Sequence, residues 1–314
     1  DLVPEIISGS ADLTGNTGTL LPGGADDAQS PTNPAGRQLY FGIREHAMAA
    51  TAVGAARHGG ARPVVGTFLV FSDYMRPSVR LAAMSGAPVV FVWTHDSVGV
   101  GEDGPTHQPV EQIMSLRAIP GLAVIRPADA TETAGAWRMA LAAEGPVALI
   151  LSRQDLPVLA STDAARVAEG AYILIDHDDA EVILVGTGSE VALCVEAAQV
   201  LASEGIAARV VSMPCWEAFE ARSPAEQDAV IDPTLPTVSI EAGTTLGWDR
   251  YADITLGVDR FGASAPGATV LDELGMNVGA VVDAAVALVA EMDELVDLAG
   301  IGTVDEANGS SNGS

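Results

Sequence analysis

The alternation of apolar runs and polar breaks along the chain predicts strands and helices in turn. Glu5–Ser10 reads as a short strand. Residues 14–36 are crowded with Gly, Pro, Asn and Asp and read as a loop. Small and apolar residues then recur at helical spacing from Arg44 to His58, and Gly59-Gly60 supplies a stop. Pro63–Val70 predicts a strand or its exit, and Asp73–Ser85 a helix closed by Gly86. Val89–Thr94 is continuously apolar, as a strand buried on both faces must be. A polar, glycine-rich stretch, Gly99–Pro109, fits neither element. A helix near residues 109–117, a strand at Leu122–Arg126, a helix at Ala130–Ala143 and a strand at Val147–Ser152 complete a β/α alternation, which implies a parallel sheet.

The pattern restarts after residues 155–171, which read as a linker. Strands are expected at Val182–Gly186, Ala208–Met213 and Thr237–Glu241, and helices at Ser189–Glu204, capped by Ser189, and Val278–Leu295. The final EANGSSNGS is compositionally a disordered tail. No internal repeat is visible. At ~150 residues per domain, 314 residues predict two domains.

Charge changes this picture. The formal net charge is −27, and every one of the 15 basic residues is Arg. Residues 1–150 hold 14 acids and 9 Arg, a net of −5; residues 151–314 hold 28 acids and 6 Arg, a net of −22. Such a field argues against nucleic acid and anionic membranes as partners. No uninterrupted apolar run reaches the ~18 residues of a membrane span; the most apolar stretch, Val278–Met292, is broken by Asp283. The opening DLVPEII lacks the features of a secretory leader, and without a Met it reads as a processed end or fragment boundary. Two cysteines, Cys194 and Cys215, make no disulfide framework, so a reduced cytoplasmic setting is expected.

Five segments can carry chemistry. Thr94–Pro109 (THDSVGVGEDGPTHQP) follows a buried strand and gathers two His, two Asp and a Glu among glycines and prolines. A polar loop at the carboxyl end of a parallel strand is where α/β active sites form, although a tight surface loop has the same composition. His95 and His107 lack the companions of a zinc site, so a metal centre is not expected. Glu45, in GIREH, serves either the helix dipole or a ligand. Phe68, Phe71 and Tyr74 fall within seven positions and serve either the core or a flat ligand. Arg153 ends a strand, where its guanidinium can fork onto an anion or join a surface ion pair. Gly186-Thr187-Gly188-Ser189-Glu190 lacks a third Gly and is a weak dinucleotide signal, more readily a tight βα turn.

Taken together, GSADL (9–13), GIREHAM (42–48), TFLVFSDYMR (67–76), THDSVGVGEDGPTHQPVEQ (94–112), RPAD (126–129), ILSRQ (150–154), VGTGSEV (185–191), VSMPCWEAF (211–219), SIEAG (239–243) and GASAPG (262–267) stand in the order and spacing of the transketolase family, which the chain resembles over nearly its whole length. The resemblance implies an α/β fold of two doubly wound modules. Residues 1–155 would be a parallel-sheet pyrimidine-binding domain without its first helix. Residues 156–171 would be a linker, 172–302 a smaller mixed-sheet C-terminal domain, and 303–314 a disordered tail.

The implied activity is thiamine diphosphate-dependent transfer of a two-carbon ketol unit from a ketose phosphate to an aldose phosphate, as in pentose phosphate metabolism. In this family the diphosphate and Mg²⁺ are held by an N-terminal domain, here expected on another part of the enzyme. That makes the chain the C-terminal subunit of a split transketolase or a fragment of a longer one. The expected partners are an N-terminal subunit and a second copy, giving a heterotetramer. By position in the motifs, Glu45 matches the glutamate that shares a proton with the aminopyrimidine ring. Phe68, Phe71 and Tyr74 match its aromatic pocket, with Phe71 stacking, and Asp12 an acid near the cofactor. His95 and Arg153 match sugar-phosphate ligands; Asp103 and His107 match groups on the ketose hydroxyls, His107 also aiding proton transfer. Thr14-Gly15-Asn16-Thr17 departs from the family, which places a phosphate-contacting Ser here. That departure leaves open two alternatives: a non-catalytic transketolase-like interaction or regulatory subunit, and a relative with another donor or acceptor.

Overall fold

The computed structural model describes residues 3–299, so the expected tail at 303–314 and the last residues of the expected C-terminal domain lie outside the described residues. Six strands form the first sheet: β1 (Ile6–Ser10), β2 (Gln38–Tyr40), β3 (Arg62–Phe68), β4 (Val90–Thr94), β5 (Ala123–Ile125) and β6 (Val147–Leu151). Their order is β2-β1-β3-β4-β6-β5 and every pairing is parallel. Helices α1 (Glu45–His58), α2 (Ser72–Ser85), α3 (Gln112–Arg117) and α4 (Ala130–Ala142) connect them.

The alternation of side chains along β4 separates two faces. Phe91 and Trp93 point into a core shared with α1, α2 and α3, through Met48, Ala52, Met75, Val79 and Leu116. Val90 and Val92 point the other way, onto Ala136 and Ala140 of α4. Burial on both faces explains why β4 carries no polar residue before Thr94. The small residues of α1 let it lie close against α2 and β3.

The second sheet contains β7 (Tyr172–Ile175), β8 (Val182–Gly186), β9 (Ala208–Ser212), β10 (Thr237–Ile240) and β11 (Ile254–Leu256) in the order β11-β10-β8-β9-β7. β7 runs antiparallel to β9; the others are parallel, so the sheet is mixed. Its helices are α5 (Val191–Ser203), α6 (Trp216–Glu220), α7 (Pro224–Asp228), α8 (Gly267–Glu273) and α9 (Val278–Ala299). The fold is thus α/β with two doubly wound modules. The pattern misses β2, β7, β11 and α6 to α8, each of three to seven residues. Ser189 does not cap α5. The helix begins at Val191, and the Ser189 hydroxyl donates to Glu190 Oε1 at 2.6 Å.

The stretch Gly267–Met292 passes a length-and-composition test for a membrane span despite Asp283. It is two helices, α8 and α9, broken at Gly275 (φ 77°), and Val270, Val281, Ala285 and Leu288 pack into the second module's core.

The modules share apolar surface. Val98 and Val110, at the two ends of the polar loop after β4, join the core of the second sheet with Val182, Leu184 and Ile240. Between the modules, Arg166–Glu169 forms a 3-10 turn whose Val167 is buried on α4. A Cβ on Gly135 of α4 would lie 2.3 Å from the Ala164 carbonyl. Gly135→Ala should therefore lose about 1–3 kcal/mol in urea denaturation despite better helix propensity. An unchanged or higher midpoint would mean that this contact does not hold the segment.

Candidate active site

Parallel strands present their carboxyl ends on one edge, and the first sheet reverses its winding between β1 and β3. Crevices at such reversal points receive ligands in α/β proteins. Ala11, Asp12 and Leu13 leave β1 here, and Phe68 ends β3. His95 follows β4 and Arg153 follows β6. Glu45 is the first residue of α1, where the helix dipole favours a carboxylate.

A cleft of about 480 Å³ is lined by Ala11, Asp12, Leu13, Ile43, Glu45, Phe71 and Tyr74. Four of the nine residues marked from the sequence meet in it: Asp12, Glu45, Phe71 and Tyr74. Glu45 is only 9% exposed, yet no side-chain hydrogen bond among the described residues ends on its carboxylate. Tyr74 and Ile43 stand at the mouth, 65% and 78% exposed. A buried, unengaged carboxylate facing an aromatic wall suits a flat heterocycle with a protonatable nitrogen, so these residues fit the pyrimidine end of thiamine diphosphate.

The other five lie off the cleft; Phe68 and His107 are joined to it through Phe71, and His95 through Phe68. The Phe71 ring centroid is 6.0 Å from Phe68, 6.0 Å from Tyr74 and 5.4 Å from His107, which meets it edge-on. Phe68 is 8% exposed and stacks on His95 at 3.6 Å, so it is a backing ring and not a cleft wall. His107 Nδ1 shares a hydrogen bond of 2.9 Å with Thr106 Oγ1, and His95 Nδ1 one of 2.9 Å with Thr94 Oγ1. Asp103 and Arg153 are exposed. The divergent Asn16 is also exposed, and its carbonyl accepts from Thr94 Oγ1 at 3.5 Å, beside His95.

Two non-glycine residues among those described have positive φ, and both are here: Asp12 (65°) and His95 (62°). Such backbone is held only where surrounding contacts over-determine it, and it clusters at functional sites. Burial, and after it the positive charge of Arg153, push the His95 pKa down to about 4; His107 lowers it too, against the pull of Asp103 and Asp96. The imidazole is thus neutral at pH 7.

Sequence reasoning missed what holds the loop. Its turns run Gly101 to Gly104 to His107 through backbone hydrogen bonds. Gln108 Nε2 donates to the Gly101 carbonyl at 2.8 Å and to the Ala263 carbonyl of the second module at 2.9 Å. A Cβ on Gly267 would lie 2.3 Å from the Gly99 carbonyl, so GASAPG is a close-fitting cradle for the loop. Beneath it lies a buried ion cluster. Arg126, fully buried, donates to Asp96 and Glu190 and to the Thr187 carbonyl, with Glu241 3.7 Å away. Arg117 in turn donates to both oxygens of Glu241 at 2.6 and 3.0 Å. The glycine-rich turn at 186–190 is part of this cluster: a Cβ on Gly188 would sit 2.5 Å from Arg126 Cζ.

Residues 1–158 match the model for the transketolase pyrimidine binding domain, and residues 170–277 that for the transketolase-like C-terminal domain. The chain belongs to the transketolase family. It is 50% identical over 291 residues to a transketolase of Geobacillus stearothermophilus, a match covering 89% of this chain and 43% of that one. The chain therefore spans less than half the length of the curated relatives it matches. Among solved structures it is similar to a Pichia stipitis transketolase in complex with sedoheptulose 7-phosphate, with TM-score 0.89, 39% identity, and 93% and 44% of the two chains covered. It is also similar to a split-gene transketolase solved as an inactive beta4 tetramer. There the TM-score is 0.74, the identity 26%, and 91% and 93% of the two chains are covered.

The depressed His95 pKa has a stability consequence. Between pH 6.5 and about 4 the unfolded chain binds a proton at this imidazole that the folded chain does not, so stability falls as pH is lowered through that window. In a proton–carbon NMR titration, the His95 imidazole should titrate with a midpoint near 4, and His95→Gln should flatten the stability slope across the window. A midpoint near the ordinary 6.5 would contradict this burial and the facing charges of Arg153, His107, Asp103 and Asp96.

Proposed function

We propose that the chain is the pyrimidine-binding and C-terminal part of a transketolase that moves a two-carbon ketol unit from a ketose phosphate to an aldose phosphate. The observation that carries this reading is the Glu45 carboxylate, buried at the start of α1 with no hydrogen-bond partner among the described residues and sharing the cleft with Phe71 and Tyr74. Bound thiamine diphosphate would supply the carbon nucleophile and electron sink that ketol transfer needs.

The chain's own residues have four tasks in this reading. Glu45 holds a proton shared with a ring nitrogen of the aminopyrimidine; proton transfers of this kind contribute ~10²–10⁴ in rate. Phe71 and Tyr74 orient the ring and exclude water, and Asp12 borders the same cleft. Asp103 and His107 bind the ketose hydroxyls, and His107, half-buried against Phe71, assists proton movement at the substrate oxygen. His95 and Arg153 take the phosphate: Arg153 as the cation, His95 as a neutral hydrogen-bonding ring.

Among the described residues no group of three or more His, Cys, Asp or Glu side chains is placed to hold a metal. In this reading the Mg²⁺ and diphosphate ligands belong to the N-terminal part of the enzyme, on the same polypeptide or on a partner subunit. The likeness to the split-gene chain, matched over 93% of its length, supports a separate subunit; a complex with two copies of each chain is part of the proposal. The replaced Thr14–Thr17 segment favours a second reading, a non-catalytic interaction subunit.

Glu45→Gln should lower kcat of ketol transfer from xylulose 5-phosphate at least ~10²-fold in the assembled enzyme, with the melting temperature of the chain unchanged. Retained turnover would exclude the catalytic role. Absence of turnover in the wild-type complex, with thiamine diphosphate and Mg²⁺ present, would favour the non-catalytic reading.

A further inference from the structure

The residues that neighbour His95 and Arg153 in the chain are themselves tied together. Asp96 follows His95, and Ser152 precedes Arg153. They leave adjacent strands, β4 and β6, whose last residues Thr94 and Leu151 are paired in register. Ser152 Oγ donates to Asp96 Oδ2 at 3.0 Å, and Arg126 Nε donates to the same oxygen at 3.0 Å. Asp96 is 1% exposed and its other oxygen, Oδ1, has no partner. One carboxylate oxygen therefore sets the relation between the two backbone segments that carry His95 and Arg153. Arg126 is in turn gripped from the second sheet, by Glu190 and by the Thr187 carbonyl at 2.8 Å.

His95 occupies left-handed backbone, φ 62°, which a non-glycine residue keeps only under such constraint. Arg153 is exposed and makes no side-chain hydrogen bond among the described residues, so its reach is set by the backbone before it. Recognition of a phosphate by an Arg fork and an imidazole depends on their spacing. A displacement of 1 Å at a positioned group can cost about 10²-fold.

We infer that Asp96, Ser152 and Arg126 are positioning residues that fix the spacing of His95 and Arg153 for the substrate phosphate. Through Glu190, the C-terminal module is a determinant of selectivity for phosphorylated sugars. The inference rests on the reading of His95 and Arg153 as phosphate ligands. It assigns the C-terminal module, which contributes none of the nine residues marked from the sequence, a part in substrate choice.

The test is steady-state kinetics of the assembled enzyme with xylulose 5-phosphate and with unphosphorylated xylulose. Ser152→Ala should raise KM for the phosphorylated donor about tenfold, with kcat within about twofold and kcat/KM for xylulose unchanged. Ser152→Thr, which keeps the hydroxyl, should restore the wild-type KM. Glu190→Gln should raise the same KM selectively, which tests the link to the second module by an independent variant. In the chain alone, the His95 imidazole cross-peak, shifted by the Phe68 ring 3.6 Å away, should move in Ser152→Ala and not in Ser152→Thr. Equal losses with both donors, an unchanged KM in Ser152→Ala, or an unmoved His95 peak would overturn the inference. Arg153→Ala separates the two levels. If it impairs both donors equally, the phosphate reading itself fails and the inference falls with it. If it impairs only the phosphorylated donor while Ser152→Ala and Glu190→Gln do not, the positioning inference alone is wrong.

Discussion

A guanidinium with no water contact needs its hydrogen bonds and its countercharge from protein, and Arg126 takes both from two modules at once. Burial alone would lower its pKa, but the carboxylates of Glu190, Asp96 and Glu241 outweigh burial and raise it above the ordinary arginine value. Taking an ion out of water costs several kcal/mol, repaid only when geometry is good and partners are complete. Here Asp96 comes from the loop after β4, Glu190 from the turn after β8, and Glu241 from the end of β10. Glu241 is further held by Arg117 and by Trp248 Nε1, which donates at 2.8 Å; the charges of Arg117 and Arg126, with these hydrogen bonds, keep its pKa low despite burial. Separating the modules would strand charges of both signs, so their relative placement is fixed more sharply than apolar contact alone would fix it.

That placement also gives the reversal point of the second sheet a different use from that of the first. The second sheet also reverses its winding, between β8 and β10, and its Gly186–Glu190 turn lies where a nucleotide phosphate would dock in other doubly wound folds. Arg126 fills that position. Gly188, with φ 59°, is needed for the side chain to enter, not for a cofactor to approach. The second module thus uses its crevice to grip the first, and the first keeps its own crevice open.

The β/α alternation, the buried β4 and the long helices were legible because they extend over enough residues to show a period. The edge strands β2, β7 and β11 and the short helices α6 to α8 were not. At the site, Glu45, His95 and the Phe68–Tyr74 cluster could be marked as candidates from residue type and place alone, but each kept a structural reading beside the functional one. What the structure adds is three-dimensional: the cleft around Glu45, the His95–Phe68 stack and the left-handed backbone at Asp12 and His95. Arg126, Glu190 and Glu241 could not be found this way. A buried ion cluster has no local signature when its paired members are 30 to 124 positions apart; the signal available was the set of motifs RPAD, GTGSE and SIEAG, whose meaning lies in their meeting.

The charge split between the halves is consistent with this division. A net of −22 in residues 151–314 would repel a sugar phosphate, yet Glu190 and Glu241 are spent on Arg126 and Arg117 inside the protein. At the site, Arg153 stands exposed while His95 is neutral at pH 7. When the Thr94 hydroxyl donates to Nδ1 of His95, the ring proton resides on Nε2, and that nitrogen is a donor without being a cation. In the proposed reading, phosphate recognition combines one full charge with one directional hydrogen bond. Charge alone would draw any anion; direction requires a fixed ring, and the ring is fixed by Phe68, by Thr94 and by the strained backbone that Asp96 anchors.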